Sequence, residues 1–266
     1  MQQRHKDRKR YFDEQAVTTE TYVIPYIAKH KSIGPDTSVL EIGCGEGGNL
    51  KPFVDLGCQC AGIDLNQKQI ENANRFFASH PNVHKVSFVC SDIYDITPPP
   101  ANQKYDVVIM RDVIEHIHNQ EKFMGFLKGF LKKDGVVFCA FPPWYMPFGG
   151  HQQICKGRVI SKLPYVHLLS NRLYSFLLKK NGETDDMVNG LLEIKETGIT
   201  LERFERICRD EHYRILDKTY FFINPNYEVK FRLKPRRCLP VFRDIPYLRD
   251  FYVTAGYYLI ENNDKL

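Results

Sequence analysis

Short apolar runs alternate along this chain with longer stretches in which apolar residues recur at helical spacing, from about residue 17 to residue 131. Runs of this length, bounded by turn-forming residues, are typical of β-strands whose two faces are both covered. The longer stretches are typical of amphipathic helices. The predicted strands are Ser38 to Ile42, Gln59 to Ile63, Val86 to Cys90, Tyr105 to Met110 and Val136 to Phe141.

Strands separated by helices predict right-handed crossovers and a doubly wound, mainly parallel α/β sheet. The pattern changes after Phe141, where a Pro/Gly/aromatic segment and two helical stretches replace the strands. A capped amphipathic helix and two further strands return at the end of the chain. We therefore expect an α/β core with an N-terminal helix over residues 1–143, a partly helical lid over 144–198 and the completion of the core over 199–266.

Composition narrows the class of protein only a little. Apolar residues make up 43% of the 266 and charged residues 26%, as in an ordinary globular protein, and a net charge of +5 does not by itself indicate a nucleic-acid binder. No apolar run reaches the length of a membrane span, and the N-terminal MQQRHKDRKR lacks the apolar stretch of a secretory signal. We expect a cytoplasmic protein. None of the eight cysteines forms a CxxC pair, and we find no metal-spaced ligand cluster, so we expect no metal site.

The first strand runs directly into a glycine-rich turn, VLEIGCGEGG, that opens a helix. Bare backbone and free N–H groups at such a turn let a ligand approach closely. The spacing of Gly43, Gly45 and Gly48 also satisfies the dinucleotide fingerprint. However, Glu41 lies two residues before the turn, where its carboxylate would repel a pyrophosphate. A cationic ligand without phosphates suits this position better.

Acidic residues also follow the second and third strands. Asp64 ends AGID and is placed to accept hydrogen bonds from ribose hydroxyls. Asp92, in CSDIYD, is placed to accept from an exocyclic amino group, and Ile93 to pack on a purine face. Because the carboxyl ends of parallel strands meet at one edge of the sheet, these residues are expected to share a site.

With these motifs in this order, the chain resembles the class I S-adenosylmethionine-dependent methyltransferases over about residues 36–142. VLEIGCGEGG, GIDLN, CSDIYD and YDVVIMRDVIEHI match four motifs of that family. The resemblance implies a Rossmann-like seven-stranded sheet with an antiparallel last strand, S-adenosylmethionine as cofactor and S-adenosylhomocysteine as product. It also implies cofactor contacts. Gly43, Cys44 and Gly45 would pass under the methionine part, Asp64 would hold the ribose, Leu65, Asp92 and Ile93 would bind the adenine, and Arg111 would lie near the methionine part or the substrate mouth.

Methyl transfer from a sulfonium is an in-line displacement, for which the enzyme mainly supplies alignment and a dry site. A hydroxyl or protonated amine as acceptor also needs a general base. FPPWYMPFGGHQQ follows the fifth strand and is predicted to fold over the mouth, with Trp144, Tyr145 and Phe148 as aromatic walls. His151, after two glycines, is the predicted catalytic base, and His116 is the second candidate.

The acceptor itself stays open at this point. An aromatic-walled pocket favours transfer to oxygen or nitrogen of a small-molecule or lipid/glycan-linked acceptor, aromatic or anionic, with nucleic acid not expected as a partner. The basic, proline-broken segment 223–250 leaves an RNA or protein methyltransferase as an alternative. A non-enzymatic module that keeps the fold without the cofactor, or a dinucleotide oxidoreductase, remain further alternatives.

Overall fold

An eight-stranded sheet forms the centre of the computed structural model, which describes residues 7–263. Its strand order is β3-β2-β1-β4-β5-β8-β6-β7. Strands β1 to β5 run parallel to one another, β8 is antiparallel to its neighbours β5 and β6, and β7 is antiparallel to β6. The strands are β1 Ser38–Ile42, β2 Gln59–Asp64, β3 Val86–Cys90, β4 Tyr105–Arg111, β5 Leu131–Phe141, β6 Tyr213–Ile223, β7 Arg236–Arg237 and β8 Ala255–Asn262.

This topology confirms the predicted doubly wound α/β class with an antiparallel last strand. The eighth strand is an addition, since β7 has only two residues at the edge of the sheet. The strand order reverses between β1 and β4, because β2 and β3 lie on one side of β1 and β4 and β5 lie on the other. In such sheets, ligands bind in the crevice at the carboxyl ends of the two strands where the order reverses.

Helices cover the sheet and build the segment after β5. Asn66 caps α4 by accepting hydrogen bonds from the backbone N–H groups of Lys68 and Gln69, as its position before the amphipathic run predicts. Thr200 caps α8 in the same way. The helices are α1 Arg8–Thr18, α2 Ile24–Ala28, α3 Lys51–Asp55, α4 Gln67–Phe77, α5 Gln120–Leu127, α6 Asn171–Lys180, α7 Asp185–Thr197, α8 Leu201–Asp210, α9 Asn226–Phe231 and α10 Pro240–Arg243.

The N-terminal helix packs directly on the glycine-rich turn. A Cβ added to Gly48 would lie 2.6 Å from the carbonyl oxygen of Phe12, so only glycine lets α1 come this close. Arg8 forms an ion pair with the buried Glu46 in the same turn. A π-helical turn, Thr19–Val23, joins α1 to α2. Residues 1–6, the start of the basic N-terminal segment, lie outside the described residues.

One helix is shorter than its sequence pattern predicts. The amphipathic run that begins at Asn119 predicts a helix as far as Gly135, but α5 ends at Leu127 and β5 begins at Leu131. Leu131 pairs with Tyr105, and Val136 pairs with Val107 across a register shift. Pairing with β4 therefore prevails over local helix propensity, because buried backbone groups in the sheet must be hydrogen-bonded.

Apolar side chains form one cluster on each face of the sheet and a third, smaller cluster within the segment after β5. The third cluster contains Cys155, Ile160, Val166, Tyr174, Leu178, Val188 and Leu191. This segment, residues 144–198, is called the lid below. All eight cysteines are free thiols, and Cys90 is the exposed one. Within residues 7–263, no helix has the length and apolar character needed to cross a membrane.

Candidate active site at the carboxyl edge of the sheet

The glycine-rich turn after β1 has backbone angles that side chains resist. Gly43, Gly45 and Gly47 all have positive φ, at 67°, 53° and 77°. A Cβ on Gly43 would lie 2.6 Å from Cγ2 of Val113, which belongs to the loop after β4. The turn therefore lies against the strand-four loop, and its backbone is left bare on the crevice side of the sheet.

Asp64, at the end of β2, holds this turn. One of its carboxylate oxygens accepts a 2.8 Å hydrogen bond from the backbone N–H of Gly45, and the other accepts one of 2.8 Å from Asn66. Each carboxylate oxygen has a second lone pair, so both stay able to accept from a hydroxyl. Gly43 and Cys44 donate their N–H groups to the carbonyl of Ile63, and the Cys44 side chain is buried.

A chain of polar side chains lies beneath the turn. Asn49 donates a 2.6 Å hydrogen bond to Oε1 of Glu41, and Asn49 Oδ1 accepts 2.6 Å from Nη1 of Arg111. Thr19 donates to the same Asn49 oxygen and accepts from Arg111. Arg111 is thus buried and engaged here, close to the predicted methionine end of the site. Asn49 and Thr19 were not among the residues predicted from the sequence.

Glu41 is fully buried, and its second oxygen, Oε2, has no hydrogen-bond partner among the described residues. Burial raises the pKa of this carboxyl to about 8, although the hydrogen bond from Asn49 and the charge of Arg111 oppose the shift. At neutral pH the group therefore holds its proton unless a cation comes next to it.

The residues predicted for the adenine part lie at the neighbouring strand ends. Leu65 is 73% exposed and offers an apolar face beside Asp64. Asp92 is exposed and caps the following turn by accepting from the N–H of Tyr94 at 3.0 Å. Ile93 is only 6% exposed and packs in the core, so it offers a purine little surface.

The loop after β4 brings two carboxyl side chains to the same edge of the sheet. Asp112 is exposed and has a left-handed backbone, φ 56°, with its N–H bonded to the carbonyl of Ala140 on β5 at 2.8 Å. Glu115 is buried, and neither oxygen of its carboxyl group has a hydrogen-bond partner among the described residues. Burial and the nearby charge of Asp112 raise the pKa of Glu115 well above its usual range.

The fold places His151 against His116. Their rings meet edge to face with centroids 5.1 Å apart. His151 also has a left-handed backbone, φ 56°. Burial, with the nearby His116, lowers the pKa of His151 to about 4, so its imidazole is neutral at physiological pH. The two histidines that the sequence offered as alternatives are thus neighbours in one site.

Three tyrosines that sequence reasoning missed are close enough to Asp112 to feel its charge. The charge of Asp112 acts on the hydroxyls of Tyr11, Tyr227 and Tyr257, and burial raises the pKa of Tyr11 and of Tyr257 to about 12. The Tyr257 hydroxyl is buried without a hydrogen-bond partner among the described residues. These residues come from α1, α9 and β8, which are far apart in sequence, so no local motif could have found them.

The predicted aromatic walls have other neighbours. Trp144 packs edge to face on His167, and a Cβ on Gly198 would lie 2.5 Å from its indole ring. Tyr145 stacks on Phe251 with centroids 5.2 Å apart. These contacts hold the lid together and attach it to the segment before β8.

Comparison with known proteins agrees with this geometry. The model of a family described as "Methyltransferase domain" matches residues 12–163, which is more than half of the chain. The chain therefore belongs to this methyltransferase domain family, and with its Rossmann-like fold it is a class I S-adenosylmethionine-dependent methyltransferase. The family predicted from the sequence is confirmed, together with the cofactor of its class.

Individual relatives are similar over part of the chain. The ubiquinone biosynthesis O-methyltransferase of Rickettsia felis is 32% identical over 116 residues, 44% of this chain and 46% of that protein. The enzyme of the same name from Rhodopseudomonas palustris is 30% identical over 113 residues, 42% of this chain and 43% of that protein. The chain thus spans about half the length of the curated relatives it matches. Among solved structures, a geranyl diphosphate methyltransferase in complex with S-adenosylmethionine is similar in fold, with a TM-score of 0.57. It is 13% identical in sequence, and the match covers 90% of this chain and 84% of that one.

The hydrogen-bond acceptors at the turn fit a cationic nucleoside. The unpartnered Glu41 oxygen is a buried acceptor that a positive charge would satisfy, and Asp64 has spare lone pairs beside the turn. Positive-φ glycines keep side chains out of the space above the turn. The carboxyl groups of Asp64 and Asp92, at the ends of β2 and β3, oppose a pyrophosphate, which argues against a dinucleotide at this site.

Proposed function

We propose that this chain transfers a methyl group from S-adenosylmethionine to a hydroxyl oxygen of a small-molecule acceptor. Two kinds of evidence support the proposal. The curated relatives that it matches are named as O-methyltransferases. In addition, the imidazoles of His116 and His151 meet at the loop after β4, and Val113 of that loop packs against Gly43 of the glycine-rich turn.

In this proposal, Gly43, Cys44 and Gly45 provide the backbone surface under the cofactor, and Asp64 accepts from its ribose hydroxyls. Leu65 and Asp92 border the adenine, to which Ile93 adds only a small exposed surface, while Glu41 and Arg111 lie at the methionine end. When bound, S-adenosylmethionine supplies an electrophilic methyl group and leaves as S-adenosylhomocysteine. The chain's own residues exclude water and fix the line of attack, which is where most of the rate enhancement in such a displacement arises.

His151 is the proposed catalytic residue, with His116 beside it. A neutral imidazole can accept the hydrogen bond of an acceptor hydroxyl and so orient the oxygen toward the methyl group. The hydroxyl of Tyr257, buried without a partner among residues 7–263, is suited to bond a second polar group of the acceptor. Lid residues 144–198 would cover the acceptor, since His151 itself belongs to this segment.

The observation that carries the proposal is the meeting of the glycine-rich turn with the loop after β4. Val113 touches Gly43, and the next residues of that loop lead to Glu115 and His116. A cofactor on the turn would therefore have its reactive end within reach of His116 and His151. The alternative RNA or protein acceptor has weaker support, because Arg243 and Arg249 of the basic segment pair with acidic residues of this chain.

Calorimetry followed by a methyl-transfer assay tests the function. We expect the full chain to bind S-adenosylhomocysteine with a 1:1 stoichiometry, and Asp64→Asn to weaken that binding by about tenfold or more through loss of the charged acceptor. Glu71→Gln, an exposed change on α4 outside the site, is the matched control and should bind normally.

Methyl transfer is then measured with labelled S-adenosylmethionine against a panel of catechols, phenols, amines, bulk RNA and a protein lysate. We expect transfer to hydroxyl compounds and its loss in His151→Ala with S-adenosylhomocysteine affinity retained. Absence of cofactor binding at millimolar ligand would overturn the proposal in favour of a non-enzymatic module. Salt-dependent labelling of RNA would overturn the small-molecule acceptor.

A further inference from the structure

Three side chains that commonly bind metal ions converge at the edge of the proposed acceptor site. A carboxylate oxygen of Glu115 and a ring nitrogen from each of His116 and His151 lie within 4.8 Å of one another. Glu115 and His116 come from the loop after β4, while His151 comes from the lid after β5. The sequence showed no ligand cluster at metal spacing because the third member is brought in by the fold.

Glu115 needs a partner that the described residues do not provide. Its side chain is 4% exposed, and neither carboxyl oxygen accepts a hydrogen bond there. Its backbone is held in place, since the Glu115 carbonyl accepts a 2.6 Å hydrogen bond from the Thr197 hydroxyl of the lid. A buried carboxylate without a partner is strongly destabilising, so the group must either keep a proton or face a cation.

Both imidazoles have a ring nitrogen close to that carboxyl. Nε2 of His116 lies 4.0 Å from Oε1 of Glu115, and the His116 and His151 rings are inclined at 73° to each other. His116 is 42% exposed at its side chain, so the group opens to solvent on one side. Asp112, whose charge acts on all three members, adds negative potential at the opening.

We propose that Glu115, His116 and His151 bind a divalent first-row transition metal ion, with Zn²⁺ as the best match. Two imidazoles and one carboxylate are ligands that zinc prefers, whereas magnesium prefers oxygen ligands and retained water. In a tetrahedral zinc site the ligand atoms lie about 3.4 Å apart, so atoms now within 4.8 Å of one another must draw together by up to about 1.4 Å on binding, which side-chain rotation can supply. Three protein ligands leave one position open, as in catalytic zinc sites.

The catalytic role of this ion rests on the proposed function, whereas its binding depends only on the three side chains. At the open position the ion would polarise the acceptor hydroxyl, whose proton passes to water. The oxygen then forms the new C–O bond as the C–S bond of the sulfonium breaks. His151 would act as a ligand in this scheme, and it would not have to take the proton itself.

Metal binding is tested on the full chain after treatment with a chelator and gel filtration. Co²⁺ is titrated while its visible d–d absorption is recorded, and Zn²⁺ is then added in competition. We expect one Co²⁺ per chain, an intensity typical of four- or five-coordination, and displacement by Zn²⁺. Mg²⁺ at the same concentration should not displace it. Weak binding without saturation at one ion per chain would overturn the proposal.

Variants locate the site. Glu115→Gln and His151→Ala should each weaken Zn²⁺ binding by at least tenfold, because each removes one of three ligands. His118→Ala is the matched control; His118 is an exposed histidine of the same loop that contacts Glu193, and this variant should bind Zn²⁺ normally. Circular dichroism and S-adenosylhomocysteine affinity verify that each variant is folded. Unchanged Zn²⁺ affinity in folded Glu115→Gln and His151→Ala would refute the assignment.

Failure of this inference and failure of the proposed function give different results. If methyl transfer proceeds at full rate in excess chelator and no ion binds, the metal site is refuted and the function stands. If Zn²⁺ binds through the three residues but no S-adenosylmethionine binds, the metal site stands and the function is refuted. If both hold, we expect chelator to lower the rate at least tenfold and Zn²⁺ to restore it.

Discussion

At the level of single residues, the protonation state of Glu41 is expected to depend on the charge of the proposed cofactor. Its carboxyl is buried, it accepts one hydrogen bond from Asn49, and one oxygen is left without a partner in the described part of the chain. The pKa of about 8 means that the ligand-free protein carries a neutral Glu41 at pH 7. A sulfonium beside it would favour the carboxylate, so cofactor binding and proton release should be coupled.

We therefore expect S-adenosylmethionine binding at pH 7 to release about one proton more than binding of S-adenosylhomocysteine. The two ligands share their amino and carboxylate groups, so the difference reports the sulfonium charge. The extra release should vanish near pH 9.5, above the raised pKa, where Glu41 is already ionised. Calorimetry in buffers of different ionisation enthalpy measures this quantity.

Glu41→Gln serves as the control for that measurement. It keeps the shape and a hydrogen-bond acceptor for Asn49 but cannot ionise, so both ligands should release the same number of protons. An equal release by the wild-type protein at pH 7 would show that Glu41 does not face the charged end of the cofactor.

At the level of elements, the turn between β1 and α3 is shaped by what it touches. Gly43 combines φ 67° with a Val113 methyl group in the space where a side chain would begin. Its N–H is bonded to Ile63, which fixes the turn to β2. The turn is thus held between the second and fourth strands, and its conformation is a property of the assembled sheet edge.

Gly43→Ala should lower the free energy of unfolding by about 1–2 kcal/mol from its left-handed backbone alone, with the Val113 contact adding to this. The displaced turn should also weaken S-adenosylhomocysteine binding by about tenfold or more. Urea unfolding and calorimetry provide the two values.

Gly190→Ala is a matched control for this change. Gly190 lies within α7, and an added Cβ there meets nothing within 4 Å. This substitution should leave cofactor affinity unchanged and stabilise the protein by about 0.5–1 kcal/mol, since alanine is the better helix former. Equal effects of the two substitutions would mean that the turn tolerates a side chain.

At the level of the whole molecule, the lid has an apolar cluster of its own, separate from the two clusters on the sheet. It is joined to the sheet by a few specific bonds. The backbone N–H of Trp144 donates to the carbonyl of Ile199, and the Gln120 side chain on α5 donates to the carbonyl of Thr197. The Thr197 hydroxyl donates to the backbone carbonyl of Glu115. We infer that residues 144–198 form a substrate unit able to open while the sheet stays folded.

Leu178→Ala tests this division. Leu178 is fully buried in the lid cluster, so its truncation should destabilise the lid by about 2–5 kcal/mol. Amide hydrogen exchange should accelerate across residues 144–198 and stay slow in β1, β4 and β5. Cofactor affinity should persist while methyl transfer falls.

Leu173→Ala is the control on the same helix, because Leu173 is 45% exposed and its loss should change stability by about 0.5 kcal/mol or less. Faster exchange throughout the sheet in Leu178→Ala would show instead that the lid and the core unfold as one unit.

The sequence by itself determined the class of fold, the methyltransferase family and the class of cofactor, and it predicts the residues at the cofactor end of the site. Strand-length apolar runs, helices between them and a capping Asn66 are local signals, and their order predicts a parallel sheet. Glu41, Gly43 and Asp64 follow because the carboxyl ends of parallel strands share one edge. Local pattern was misleading where a neighbouring element intervened: the helix predicted as far as Gly135 ends at Leu127, and Leu131 pairs with Tyr105 of β4 instead.

Only the tertiary structure decided what surrounds the proposed acceptor. Tyr11 and Tyr257 come from opposite ends of the chain, yet the charge of Asp112 acts on both, and the lid brings His151 against His116. The partners of Arg111 and the unpartnered carboxyl of Glu115 are likewise set by packing between elements. Burial, the removal of water and the proximity of distant side chains arise from three-dimensional packing, and these are the quantities that set charge and reactivity at this edge.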